Sequence, residues 1–365
     1  MSVTRLKIEQ FRNLRAPDLA LHARCNLFHG DNGSGKTSLL EAMHYLCLAR
    51  SFRSNQASRI ILHNASHFTL FGQFAVPGST HLIPAGIEKH RSGETKIKID
   101  GAPIRSTAEL ARLHPLQVIN ASTFHLLDAG PQHRREFLDW GVFHVEPTFF
   151  QIWKRLQIAL KQRNAALRQR IHPTQIKLWD KEFITASYAL DALRVSYIRS
   201  FLPLFESVLK QLLDLKEITL HYQSGWDAKL PLETVLERNF ERDNSLGYTQ
   251  YGPQRADLAL RIRHQPLDEI LSRGEQKLVT YTLRHVQGLL LHQLTQKQCI
   301  YLLDDLAAEL DEDNRNAILA LLQHAPFQVF ITVLEPKHLE NFIKNREMNM
   351  FHVEQGVITP SNKPS

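Results

Sequence analysis

Through the first hundred residues polar and apolar side chains alternate. SVTRLKIEQF at the start and FTLFGQFAV at 68–76 place an apolar residue at every second position, the pattern of strands with one buried face. TKIKID runs into Asp100-Gly101, and Ser92-Gly93 lies just before it; both pairs are turn signals that predict hairpins. One helix interrupts these strands, with Leu39, Leu40, Met43, Leu46 and Cys47 at helical spacing. From Arg134 to about Leu215 the spacing is helical, as in Phe150, Trp153, Leu156, Leu160 and Leu167, and Pro173 and Pro203 are expected to divide the run into several helices. In the last third ITLHYQ and ADLALRI read as strands, LVTYTLRHVQGLLLHQL as a largely apolar helix, and CIYLLDD and QVFIT as short apolar strands. Alternating strands and helices predict a parallel sheet covered on both faces. The tail GVITPSNKPS is expected to fray. The whole reads as an α/β domain with a helical module inserted in its middle.

Composition narrows the class. A formal charge of +7, spread along the chain, is compatible with a polyanionic partner and equally with a slightly basic solvated surface. Between the apolar positions of the helical module lie Lys154, Arg155, Lys161, Arg163, Arg168 and Arg170. They could follow the charges of such a polyanion or simply form the polar faces of amphipathic helices. The three cysteines, Cys25, Cys47 and Cys299, are widely spaced in apolar surroundings without a C-x-x-C pair, which points to buried thiols in a reducing compartment. The N-terminus lacks a signal-peptide core, and no apolar run is long enough to span a bilayer. The expectation is a soluble, cytoplasmic protein with no membrane partner.

Chemistry enters at GDNGSGKT. Gly30, Asp31, Asn32, Gly33, Ser34, Gly35, Lys36 and Thr37 fit the phosphate-loop pattern, with Ser38 continuing into the helix. The glycines let backbone N–H groups converge on phosphate oxygens, and the helix beginning there aims its positive end at the same anion. Lys36 supplies a point charge for the β- and γ-phosphates, and Thr37 a hydroxyl for Mg²⁺. A nucleotide with Mg²⁺ is therefore expected. In CIYLLDDLAAELD an apolar strand delivers Asp304 and Asp305 to the carboxyl edge of the sheet. There Asp304 can hold Mg²⁺ and Asp305 can orient a water. In LSRGEQK, Ser272 and Gly274 stand at the start of a long helix. This segment reads either as an anion site or as a capping box between Ser272 and Glu275.

Phosphate loop, L-S-x-G-E, acidic strand end and ELD follow one another in the order of the ABC-type ATPases. By that resemblance Ser272 and Gly274 contact the γ-phosphate held by an opposite subunit, so ATP would join two copies of the chain. TRLKIEQFRNL, GDNGSGKTSLLEA, SFR at 51–53, RREFLDWGVFH, LKQRNAALRQ, GPQRADL, LSRGEQKL and YLLDDLAAELD together resemble the RecF family of bacterial recombination mediators. RREFLDW and LKQRNAALRQ stand where Rad50-like and SMC-like relatives have coiled coils. The resemblance implies an ABC-type P-loop ATPase head, Rad50/SMC-like, made of 1–120 and 236–365, with a helical arm at 121–235. It further implies an ATP-dependent homodimer, weak DNA-stimulated ATP hydrolysis, recognition of double-stranded and gapped DNA with RecR, RecO in the same pathway, and aid to RecA loading in DNA repair. Residue by residue it gives Lys36 and Thr37 the phosphate-loop roles, Asp304 the Mg²⁺ role, Asp305 the catalytic carboxylate and Asp311 the D-loop role. Gln117 is implied as a γ-phosphate sensor and Arg12 as an arginine near the nucleotide. VINASTF lacks the proline and acid usual after the glutamine strand, Gln254 replaces a usual histidine, and ITVLEP shows no clear switch histidine. A transporter ATPase, a small-molecule kinase and a DNA-binding protein with an inactive nucleotide site are the rival classes. The kinase has no role for LSRGEQK.

Overall fold

The computed structural model describes residues 1–54, 56–104, 106–213, 218–263 and 265–362. The chain divides into two compact units, Met1–Phe124 with Leu291–Ser365, and His125–Leu290. The second unit is longer than the 121–235 insertion and takes in LSRGEQK, which the sequence reading had placed with the head.

In the first unit two sheets enclose one helix. A six-stranded antiparallel sheet runs in the order Asp18–Ala20, Ser2–Glu9, His67–Ala75, Leu82–His90, Thr95–Ile99, Ala102–Pro103. The alternation in FTLFGQFAV appears as strict alternation of buried and half-buried residues along His67–Ala75. The second sheet has the order Val357–Ser361, Asn349–Glu354, Cys25–His29, Gln328–Val333, Ile300–Leu303, Leu116–Ile119. Its inner strands pair in parallel, and Ile300–Leu303 and Gln328–Val333 are buried at every position, as a sheet covered on both faces requires. Phe28 stacks on Phe351 with ring centroids 5.0 Å apart. The helix Lys36–Leu48 shares one core with both sheets, and Leu39, Leu40, Met43 and Leu46 are inaccessible. A helix buried on every side needs apolar residues all round, so its one carboxylate, Glu41, must be neutralised internally. Arg12 and Arg53 do this, as described below. Cys25, Cys47 and Cys299 are buried thiols.

The second unit is built on three helices, Pro131–Val145, Phe149–Arg168 and Pro173–Leu212, with a three-stranded antiparallel sheet ordered Gln265–Pro266, Asp257–Ile262, Ile218–Gln223. Three expectations are corrected. ADLALRI does not join the parallel sheet but pairs antiparallel with ITLHYQ. Its period-two burial marks a one-sided strand, unlike the unbroken apolar run of IYLL. Pro203 does not end a helix: Pro173–Leu212 runs through it, and buried Phe201, Phe205, Val208 and Leu209 hold both sides of the proline in place against a local cost of about 3 kcal/mol. In the tail, Val357–Ser361 is a strand paired with Asn349–Glu354, while Lys363, Pro364 and Ser365 lie outside the described residues.

The arginines of this unit are divided between core and surface. Arg163 is fully buried. It donates to Asp180 at 2.6 Å, to Asp243 at 2.8 Å and to Thr249 at 2.7 Å. Arg134 grips Asp257 through two bonds of 2.8 and 3.0 Å, Arg135 donates to the Ala256 carbonyl at 2.8 Å, and Arg194 joins Asp139 to the Pro253 carbonyl. RREFLDW and GPQRADL are thus halves of one polar network, and LKQRNAALRQ ties the long helices to Asp243. Arg163 therefore leaves the set of candidate DNA contacts, while Lys154, Lys161, Arg168 and Arg170 remain exposed, as does Arg155, which pairs with Glu182 at the surface. Removing one partner of a buried ion pair strands the other charge, at about 3–5 kcal/mol. Arg163→Ala should accordingly lower the unfolding free energy by about that much, and Lys161→Ala should change it by less than about 0.5 kcal/mol. Denaturant titration followed by circular dichroism checks both.

Candidate nucleotide site

The parallel register brings the site together. Cys25–His29 pairs with Gln328–Val333, which pairs with Ile300–Leu303, so the loop after the first, Asp304 after the third and Thr332 near the end of the second share the carboxyl edge. The loop Gly30–Gly35 then turns into the helix beginning at Lys36. Gly30 and Gly35 have φ of 145° and 121°, and a Cβ on Gly30 would lie 2.1 Å from the Val353 carbonyl oxygen, so only glycine fits there.

A cleft of about 270 Å³ lies over this loop, lined by Asn32, Gly33, Gly35, Lys36, Thr37 and Ser38 on one side and Asp304, Asp305 and Thr332 on the other. Thr37 Oγ1 donates to Asp304 Oδ1 at 3.0 Å, and Thr332 Oγ1 donates to the same oxygen at 2.9 Å. Thr332 Oγ1 also accepts the Asp305 N–H at 2.9 Å, and Asp305 adopts left-handed backbone angles of 51° and 48°. Lys36 Nζ donates to the Gly30 carbonyl at 2.6 Å and the Asp31 carbonyl at 2.9 Å. Burial pulls the Lys36 ammonium below its ordinary range, opposed by the charges of Asp305, Asp304 and Asp31. Burial raises the Asp304 carboxyl, against the hydrogen bonds from Thr332 and Thr37.

These groups suit a nucleoside triphosphate with Mg²⁺. A loop of backbone amides at a helix N-terminus with a buried lysine fits a polyphosphate, and a hydroxyl beside a carboxylate is a hard oxygen donor set fit for Mg²⁺.

Other sequence-predicted residues fall differently. Arg12 is held by Glu41 through bonds of 2.9 and 2.6 Å and also donates to the Arg59 carbonyl. It does not line the cleft; its neighbour Asn13 and Arg53 do. Arg53 lies 3.5 Å from Glu41, to which Ser51 also donates. A fully buried carboxylate demands the nearest guanidinium, which accounts for the placement of Arg12. Gln117 pairs with Tyr301 and is buried. Asp304 follows Tyr301 by three positions, so Gln117 sits roughly 10 Å behind the carboxyl edge along the strand. Asp311 caps the helix Glu312–His324, its Oδ1 accepting the Asn314 N–H at 2.8 Å. In the second unit Ser272 N–H donates to Glu275 Oε2 at 2.9 Å and Ser272 Oγ accepts the Glu275 N–H at 3.4 Å. This is the capping box, and it leaves Ser272 exposed at the start of the helix Arg273–Thr295. Sequence reasoning missed Asn13, Arg53 and Thr332. A polar residue near the end of the apolar run VFITV is the signal for the last.

Fold and site together define the class, a P-loop head of the SMC type. The RecF/RecN/SMC N-terminal domain model matches residues 2–359. A DNA replication and repair protein RecF from Stutzerimonas stutzeri is 47% identical over 100% of this chain and 99% of its own length. The chain belongs to the RecF family. A solved structure of the recombination mediator protein RecF-ATP in the RecFOR pathway aligns with a TM-score of 0.85 at 22% identity, over 99% of this chain and 98% of that one. An Smc head domain from Pyrococcus furiosus aligns at 0.59 and 13% identity, over 99% and 96%. Among the described residues no helix is long and apolar enough to cross a membrane.

A carboxyl raised on folding stabilises the fold fully below the ordinary aspartate range, and that contribution is lost as pH climbs through the raised value. Asp304→Asn, which removes the charge and keeps the shape, should therefore raise the ligand-free unfolding midpoint at about pH 7.5, with the gain shrinking toward about pH 4.5. A less stable variant at the higher pH would mean that the two threonine bonds to the carboxylate outweigh its desolvation.

Proposed function

We propose that this chain is an ATP-driven clamp on DNA that acts as a recombination mediator. The observation that carries the reading is the convergence of Lys36, Thr37, Asp304 and Asp305 on one cleft, while exposed Ser272 and half-buried Gly274 stand at the start of a long helix of the other unit. First-turn amides of a helix have no carbonyl partners within it, so this end can receive the γ-phosphate of ATP held by a second copy. Lys36 and the loop amides from Gly30 to Ser38 would hold the phosphates, and Thr37 and Asp304 would hold Mg²⁺, which would supply charge neutralisation at the phosphate oxygens. Asp305 orients the attacking water. Its short side chain suits slow hydrolysis and a long-lived dimer, well below a typical turnover of about 10 s⁻¹. Asp311 completes the dimer contact. Arg12 acts through Glu41 on the helix that carries Lys36. Gln117 would reach the nucleotide only if its strand end moved.

The DNA bound is double-stranded and gapped, and exposed Lys154, Lys161, Arg168 and Arg170 are available to its phosphates. RecR is the partner at the gap, RecO serves the same pathway and RecA loading is the outcome, as the family membership suggests. Hydrolysis stimulated by DNA then resets the clamp in the cytoplasm.

Molar mass by light scattering tests the reading. Mg·ATP should double the mass of the wild type, and Mg·ADP should leave it monomeric. Ser272→Arg should bind ATP yet remain monomeric. A mass indifferent to nucleotide would remove the sandwich mechanism from this chain acting alone.

A further inference from the structure

The last hairpin of the chain supports the phosphate loop from beneath. Asn349–Glu354 and Val357–Ser361 are joined by Gln355-Gly356, both at positive φ, 47° and 81°, as a tight two-residue hairpin turn requires. Gly356 N–H donates to the Ser34 carbonyl in the middle of the loop at 2.7 Å, and its own carbonyl accepts the Arg15 N–H at 2.9 Å. A Cβ at Gly356 would lie 1.9 Å from the Asn13 carbonyl oxygen, and one at Gly35 would lie 3.6 Å from Gly356 Cα. The strand leading into the turn presses on the loop as well, since the Val353 carbonyl excludes any side chain at Gly30. Asn13 in turn lines the cleft and stands 3.5 Å from the Gly33 carbonyl. Three distant segments therefore meet at one glycine: the loop, the residues after the first long strand, and the hairpin tip. The turn by itself needs positive φ at both positions, which Gln355 meets with a side chain. At Gly356, whose φ of 81° already disfavours a side chain, the docking against Asn13 and Leu14 leaves no room for one.

We infer that Gly356 is a positioning residue for nucleotide binding, whose backbone holds the phosphate loop in its anion-receiving shape. The inference rests on the reading of that loop as an ATP site. Any group that binds better when the hairpin is docked must, by reciprocity, tighten the docking when it binds.

Titration with a fluorescent ATP analogue compares wild type, Lys36→Ala, Gln355→Gly and Gly356→Ala. Binding by wild type and its loss in Lys36→Ala establishes the ATP site. Gly356→Ala should then bind on the order of tenfold more weakly, with Gln355→Gly unchanged. Wild-type affinity in Gly356→Ala overturns the inference and leaves the ATP site standing; a wild type that binds no nucleotide overturns both. Hydrogen exchange on the wild type decides the matter if Gly356→Ala fails to fold. Mg·ATP should slow exchange of the Gly356 amide several-fold, whereas an unchanged rate overturns the positioning role.

Discussion

The parallel pairing of Cys25–His29, Gln328–Val333 and Ile300–Leu303 is the constraint on which the rest depends. It brings Thr37 and Asp304, 267 residues apart, within 3.0 Å of each other. Pairing of strands so distant in sequence is entropically costly, and the return comes from burying both sheet faces and the whole of the helix Lys36–Leu48. That helix in turn imposes the next requirement. Glu41 within it is inaccessible, and an uncompensated carboxylate there would be ionised only at great cost. Arg12, Arg53 and Ser51 answer it, and through Arg53 the buried charge reaches the edge of the nucleotide cleft.

Thr332 illustrates how little side-chain chemistry the arrangement needs. One hydroxyl donates to the Asp304 carboxylate and accepts the Asp305 amide. It thereby fixes both acids relative to the strand end, and helps hold Asp305 in a left-handed conformation uncommon for a residue with a side chain. The second unit uses the opposite economy. Arg134, Arg163 and Arg194 are spent on internal ion pairs, leaving a different set of basic residues for solvent. Buried charge pairs of this kind contribute little net stability, and their evident role is to fix how the helices meet one another and, through Arg134 and Asp257, the three-stranded sheet.

Much of this was legible in the sequence. Period-two alternation located the antiparallel strands, unbroken apolar runs located the parallel ones, and the spacing of glycine, lysine and threonine marked the phosphate loop. Where the reading went astray, local signals competed with tertiary ones. ADLALRI alternates and so belonged to a one-sided sheet, but its place between helices suggested otherwise. Pro203 carries a helix-breaking signal that packing of Phe201 and Phe205 overrides. The basic residues of LKQRNAALRQ look alike in sequence, yet Arg163 is in the core and Arg168 in solvent, because only the former faces Asp180 and Asp243.

By itself the sequence determined the elements and the chemistry of the loop, because both depend on residues within a few positions of one another. The glycines set the backbone's freedom, and periodicity set which face each strand and helix would bury. Only the tertiary structure decided which carboxylate meets Thr37, that Arg12 serves Glu41, that Gln117 lies behind the sheet edge, and that Gly356 supports Ser34. Those outcomes depend on strand register and on contacts across hundreds of residues, where burial of one charge or the lack of room for one Cβ selects among partners that look equivalent along the chain.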